Sequence, residues 1–350
     1  MRLDRFAAYA WAVLLLNFAV VAWGAFVRAS GSGAGCGSHW PLCNGQVVPR
    51  DVHTAMLIEF THRVTSGLAL VAVLVLLGWA LARHAARHAA RRAGAGAEGL
   101  RLALARPWSW ELRGAALAMA FMLSEALVGA ALVLLGLVAE NDSATRAVVL
   151  GIHLVNTFFL LAFLALTAWW ASGGRPVRLR HQGVLGPLLL AALAGLLLLG
   201  VTGAVTALGD TLFPSGSLRE GFRQDFSPTA HFLLRLRVIH PALAVSLGVY
   251  LLLVASAVLR RRTDLDARRF ARLLITLFFA QLAVGALNLL LRAPVWMQLV
   301  HLVLADAVWV TLVLLTATAL ADAPAVGPSR AAVARPASRR GAGEAAPANG

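Results

Sequence analysis

The 350 residues are 59% hydrophobic and only 13% charged, a balance that excludes an ordinary water-soluble domain. The formal net charge of +15 rests on 31 arginines and no lysine. Because most of these arginines fall at the N-terminus, in alternate loops and in the C-terminal tail, they mark orientation in a membrane and contact with anionic lipid, not a nucleic-acid partner.

Eight apolar runs are long enough to cross a bilayer: 9–27, 56–82, 112–138, 147–171, 184–208, 232–259, 270–291 and 295–321. The first is too long for a signal peptide, lacks a small-residue cleavage site, and is not preceded by an Arg- and Ser-rich transit segment; this points to a bacterial plasma membrane. The arginine bias places both termini in the cytoplasm. In the first outer loop, Cys36 and Cys43 flank six residues in GCGSHWPLCNG. A disulfide is favoured there over free thiols. Zinc would need more ligands than His39 adds. Whether such a bond is structural or redox-active stays open.

The second span carries Glu59 and His62 in IEFTHR, three residues apart and so on one helical face. A carboxyl at that place suits proton transfer, with an i,i+4 ion pair to Arg63 as the structural alternative. The segment 83–107 reads as a basic cytoplasmic loop, and His84 and His88 within it as a solvated pair, with metal binding as the lesser reading. Glu125 in the third span is expensive in hydrocarbon unless neutral or paired, and Asp306 in the eighth poses the same problem.

Further histidines follow in even-numbered spans: His153, His240 and His301, each near the outer end, like His62. Four ionisable residues of one kind at one depth, roughly 10 Å below the surface, suggest two pairs of axial haem ligands. Arg28, Arg63, Arg235 and Arg237 are candidates for pairing with haem propionates, the alternative being snorkelling interfacial side chains. The spans repeat: GAFVRASG corresponds to GAVTALGD, His62 to His240, Glu125 to Gln281 and His153 to His301. Four spans per repeat keep both halves in one orientation. The expected fold is all-α, eight membrane helices as two pseudo-symmetric four-helix bundles, with units 1–172 and 173–322 and a disordered cytoplasmic tail, 323–350. The residue three before His240 is Arg237, so the two sites are built alike but charged differently.

The run VRASGSGAGCGSHWPLCNG, then IEFTHR, then one histidine in each later even span, resembles the haem A synthase family over about residues 9–321. The resemblance implies oxidation of a methyl group of haem O to the formyl of haem A for terminal oxidases. It further implies substrate haem between His62 and His153, haem b on His240 and His301 as cofactor, Glu59 as the essential carboxylate, and a Cys36–Cys43 disulfide. The partners it implies are haem O, a haem O synthase and an electron acceptor. Relatives with a second cysteine pair between spans five and six differ from this chain, where GDTLFPSGSLREGFRQDFSPT has none, and Glu125 stands where Gln is expected. A di-haem electron carrier and a haem transporter are the rival readings. The acceptor, the oxygen source and the oligomeric state, a homo-oligomer among the options, stay open.

Overall fold

The structure is a computed structural model describing residues 4–50, 53–93, 108–178 and 182–321. Within these are eight helices long and apolar enough to cross a membrane: α1 (Arg5–Ala29), α2 (Thr54–Ala93), α3 (Trp110–Leu134), α4 (Ala144–Ala171), α5 (Leu185–Leu212), α6 (Phe232–Arg261), α7 (Leu265–Leu290) and α8 (Val295–Ala319). Side-chain caps fix several starts. Asp4 accepts from Ala7 N–H at 2.8 Å, Ser143 from Arg146 N–H at 3.2 Å, and Asp264 from Ala267 N–H at 3.0 Å.

The helices form two rings of four. In the first, α1 packs on α2, α2 on α3, α3 on α4, and α4 back on α1; α5 to α8 repeat the pattern. Thus α2 and α4 stand across one ring from each other, and α6 and α8 across the other. The rings join through α1, α4, α5 and α8. Small residues permit the close approaches that helices need in lipid: a Cβ on Gly248 of α6 would stand 1.9 Å from the Phe278 ring of α7. At the junction Phe158 of α4 stacks on Trp309 of α8, centroids 5.0 Å apart, and the indole N–H donates to Phe158 C=O at 2.6 Å.

The described chain ends share one face, here the terminal face. Arg83 near the end of α2 pairs with Asp4 at 2.7 Å, and Arg178 N–H between α4 and α5 donates to Leu320 C=O at 2.8 Å. Packing is dense on that side, where α8 is buried at every position from Val308 through Ala319. Toward the far face it loosens: Val148 and Ile152 of α4 and Val300 and Val303 of α8 are exposed. The histidines lie in this looser half.

Two boundaries differ from the sequence expectation. The segment 83–107 is not a loop throughout, because α2 continues to Ala93; its Ala- and Arg-rich composition favours helix once a span has nucleated it. His84 and His88 sit there as ring neighbours, centroids 4.4 Å apart. Residues 94–107 and the tail 323–350 lie outside the described residues. The loop between α5 and α6 contains a short helix, Leu218–Asp225, started by Ser217, whose Oγ accepts from Glu220 N–H at 3.2 Å.

Candidate functional site

Each of the four histidines lies against a glycine of the preceding helix. A Cβ built on Gly24 of α1 would come 3.0 Å from Cε1 of His62 on α2. On Gly203 of α5 it would come 3.0 Å from Cε1 of His240 on α6, and on Gly285 of α7, 3.0 Å from Cε1 of His301 on α8. The remaining pair is looser, with Gly129 of α3 placing a Cβ 3.9 Å from Cε1 of His153 on α4. Every histidine thus turns its Cε1 edge to a backbone without a side chain. The structure thereby resolves the repeat one level below the two halves, into four helix hairpins. A signal existed in the sequence: each of these glycines is followed by alanine, in Gly24-Ala25, Gly129-Ala130, Gly203-Ala204 and Gly285-Ala286.

Within each half the two histidines approach one another. His62 is within electrostatic reach of His153 and Glu125, and His301 within reach of His240. Their other neighbours differ. Nδ1 of His62 and of His301 is buried with no hydrogen-bond partner among the described residues. His240 Nδ1 lies 3.1 Å from Thr202 Oγ1, and Gln281 Nε2 lies 3.3 Å from His301 Nε2. His153 Nδ1 stands 3.4 Å from Glu125 Oε1, a charge contact short of full hydrogen-bond geometry. The nitrogens without partners are Nδ1 atoms, the ones that orient an imidazole bound to metal through Nε2, so they are costly as they stand but are not themselves the metal-facing atoms. The cradle glycines, the shared depth and four neutral-capable nitrogen donors in two facing pairs fit two haem groups.

Glu59 is 3% exposed and fully engaged. Its Oε2 accepts Cys36 N–H at 2.8 Å, and its Oε1 accepts two bonds from Arg63, from Nη2 at 2.5 Å and Nε at 3.2 Å. Arg63 Nη1 in turn donates to the carbonyls of His39 and Leu42, both at 2.7 Å. The pair therefore pegs the loop closed by the Cys36–Cys43 disulfide, whose Cα atoms are 4.4 Å apart. Arg237 occupies the equivalent place and does the equivalent work with opposite charge. It binds Asp225 at the end of the short helix, at 2.5 Å, and Asp210 near the end of α5, at 3.0 Å. The two far-face loops are fastened at one position, by an ion pair and a disulfide in one half and by ion pairs alone in the other.

The remaining arginine candidates also have protein partners. Arg28 reaches from α1 across the junction: Nη1 donates to Ala207 C=O and Thr211 Oγ1 on α5, both at 2.7 Å, and Nη2 to Gln298 Oε1 on α8 at 2.9 Å. Arg235 donates to Pro228 C=O. Sequence reasoning passed over Arg146, buried at the start of α4, which donates to Ala139 C=O at 2.6 Å and Asn141 C=O at 2.7 Å. Asp306 is fully buried, and neither carboxylate oxygen has a hydrogen-bond partner among the described residues.

Residues 7–313 match the COX15-CtaA family, described as "Cytochrome oxidase assembly protein". The chain belongs to this family. It is 52% identical over 317 residues to a protein of Thermus thermophilus named "Protoheme IX farnesyltransferase", an alignment that takes in 91% of this chain but 49% of that protein. Shorter stretches resemble proteins named "Heme A synthase". One from Geobacillus kaustophilus is 49% identical over 72 residues, 21% of this chain and 23% of that protein. Another, from Bacillus mycoides, is 42% identical over 85 residues, 23% of this chain and 27% of that protein. The chain thus spans about half the length of the Thermus thermophilus protein it matches.

Proposed function

We propose that the protein is a haem A synthase, a membrane oxidoreductase that converts a methyl group of haem O to the formyl of haem A. The observation that carries the reading is the set of four histidines, each on its glycine and six to nine residues after the start of its helix, on helices that stand across each ring from one another. The family and the relatives named for haem A synthesis support it. The farnesyltransferase name belongs to a relative of which this chain matches about half. A farnesyltransferase acting on protohaem is instead the reaction class that supplies haem O, and so a partner.

In this reading His62 and His153 hold the substrate haem in unit 1–172. His240 and His301 would hold haem b in unit 173–322, which when bound supplies one-electron transfer. Glu59, one helical turn from His62, is assigned the role of proton acceptor in the oxidation. Its bonds to Cys36 N–H and Arg63 hold the carboxylate in place and close the loop over that end of the bundle. The terminal face is cytoplasmic by the arginine bias, in a bacterial plasma membrane.

The test is haem extraction and chromatography from cells that also make haem O. Glu59→Gln should retain haem b yet accumulate haem O or a hydroxylated product instead of haem A. Wild-type protein recovered with haem b alone would refute the reading. One observation favours a second one, a di-haem electron carrier. Glu59 and Arg237 both serve as loop pegs, so their difference in charge does not by itself require chemistry in one half.

A further inference from the structure

We infer that Glu125 is a positioning residue for His153, holding the imidazole by Nδ1 so that Nε2 is presented for iron. The inference rests on the reading of His153 as a haem ligand.

The carboxylate is itself fixed. Thr157 Oγ1 donates to Oε1 at 2.5 Å and Asn156 Nδ2 donates to Oε2 at 2.5 Å. Asn156 is held by Ser124 Oγ, which donates to its Oδ1 at 2.5 Å, and by Phe121 C=O, which accepts from its Nδ2 at 2.9 Å. Both donors to Glu125 come from α4, one turn beyond His153, so carboxylate and ring are indexed to one helix. Oε1 stands 3.4 Å from His153 Nδ1, which has no other partner among the described residues. Metal-binding histidines usually donate their second ring N–H to such a partner, which fixes the tautomer and raises the basicity of the nitrogen on the metal.

The other histidines lack this arrangement. Thr202 Oγ1, beside His240, lies within hydrogen-bond distance of both Leu199 C=O, at 2.9 Å, and the ring Nδ1, at 3.1 Å, and is a neutral group where Glu125 is a carboxylate. Gln281, at the repeat position of Glu125, is an amide, and the residues that correspond to Asn156 and Thr157 are Leu304 and Ala305. The carboxylate and its supporting polar cluster belong to one half alone. A mere glue between α3 and α4 would not need the carboxylate aimed at the ring.

The experiment adds protohaem to purified full-length protein and reads affinity, the low-spin spectrum and the midpoint potential of the His153-dependent site, with His153→Ala defining that site. Glu125→Leu should bind protohaem there about 10- to 100-fold more weakly. Glu125→Gln keeps one acceptor oxygen, for Thr157 and the ring, and turns an N–H donor toward Asn156; it should restore the low-spin spectrum but with a higher midpoint potential, because a neutral acceptor makes imidazole a weaker donor. This variant carries the test if the leucine variant fails to fold. Wild-type affinity, spectrum and potential in Glu125→Gln, with His153→Ala still losing the site, would overturn the Glu125 assignment alone. Unchanged protohaem binding in His153→Ala would overturn the ligand reading and the Glu125 assignment with it.

Discussion

Gly24 lies against the Cε1 edge of His62 so closely that a Cβ there would come within 3.0 Å of the ring. The hydrogen atom of glycine is thus what allows the imidazole to sit between α1 and α2 at that depth. Gly203–His240 and Gly285–His301 repeat the relationship at the same separation, whereas Gly129 leaves 3.9 Å to His153.

An alanine series reads this directly. Gly24→Ala, Gly203→Ala and Gly285→Ala must each displace a histidine ring by a few tenths of an ångström, whereas Gly129→Ala makes an ordinary contact. We expect weakened or altered haem binding in the three tight variants and near wild-type behaviour for Gly129→Ala, measured by optical spectra of purified protein. Equal effects at all four positions would contradict the geometry.

The loop peg predicts a stability effect. Arg63→Ala leaves Glu59, 3% exposed, without its cation and frees the carbonyls of His39 and Leu42. Breaking a buried pair from one side costs about 3 to 5 kcal/mol. Thermal unfolding in detergent should show it, and Arg63→Ala combined with Glu59→Gln should be less destabilised than Arg63→Ala alone. A single substitution with unchanged melting would show that the loop does not depend on this pair.

The disulfide is checked without perturbing the site. Peptide mass spectrometry of non-reduced protein should recover Cys36 and Cys43 as one linked species. Recovery of both as free thiols from protein prepared without reductant would refute the bond.

Arg28 ties α1 to α5 and α8 through three hydrogen bonds. Arg28→Ala should therefore loosen the junction between the two rings, on the order of 2 kcal/mol or more. Arg235→Ala, which removes a bond within one loop, should cost less. Comparing the melting of the two variants separates a junction role from a general loss of surface charge.

Orientation can be read with reporter fusions after Arg92 and after Asn44. The arginine bias predicts opposite signals, with Arg92 on the cytoplasmic side. Like signals from both would overturn the assigned topology.

Much of the fold was legible in the sequence, because hydrocarbon imposes a simple rule. A backbone in lipid must bond to itself, so each apolar run of sufficient length becomes a helix, and eight such runs give eight spans. The same rule made His62, His153, His240 and His301 conspicuous, since an ionisable side chain at that depth has to have a use. Pairing across the repeat followed from spacing along one chain.

What the sequence left undecided depended on contacts between residues far apart in it. Glu59 beside Cys36 N–H, Arg28 on Ala207 and Gln298, and Arg237 between Asp210 and Asp225 are each made by bringing distant segments to one place. Periodicity reports which face of a helix is apolar, but not which neighbour fills it. So the sequence singled out Glu59 and Arg237 as opposites in charge, while only the folded chain made them equivalent pegs for two loops. The four glycines carried their Gly-Ala signal all along, yet their meaning required the rings that lie on them: a glycine in a membrane helix is common, and only packing shows whether a backbone is being approached.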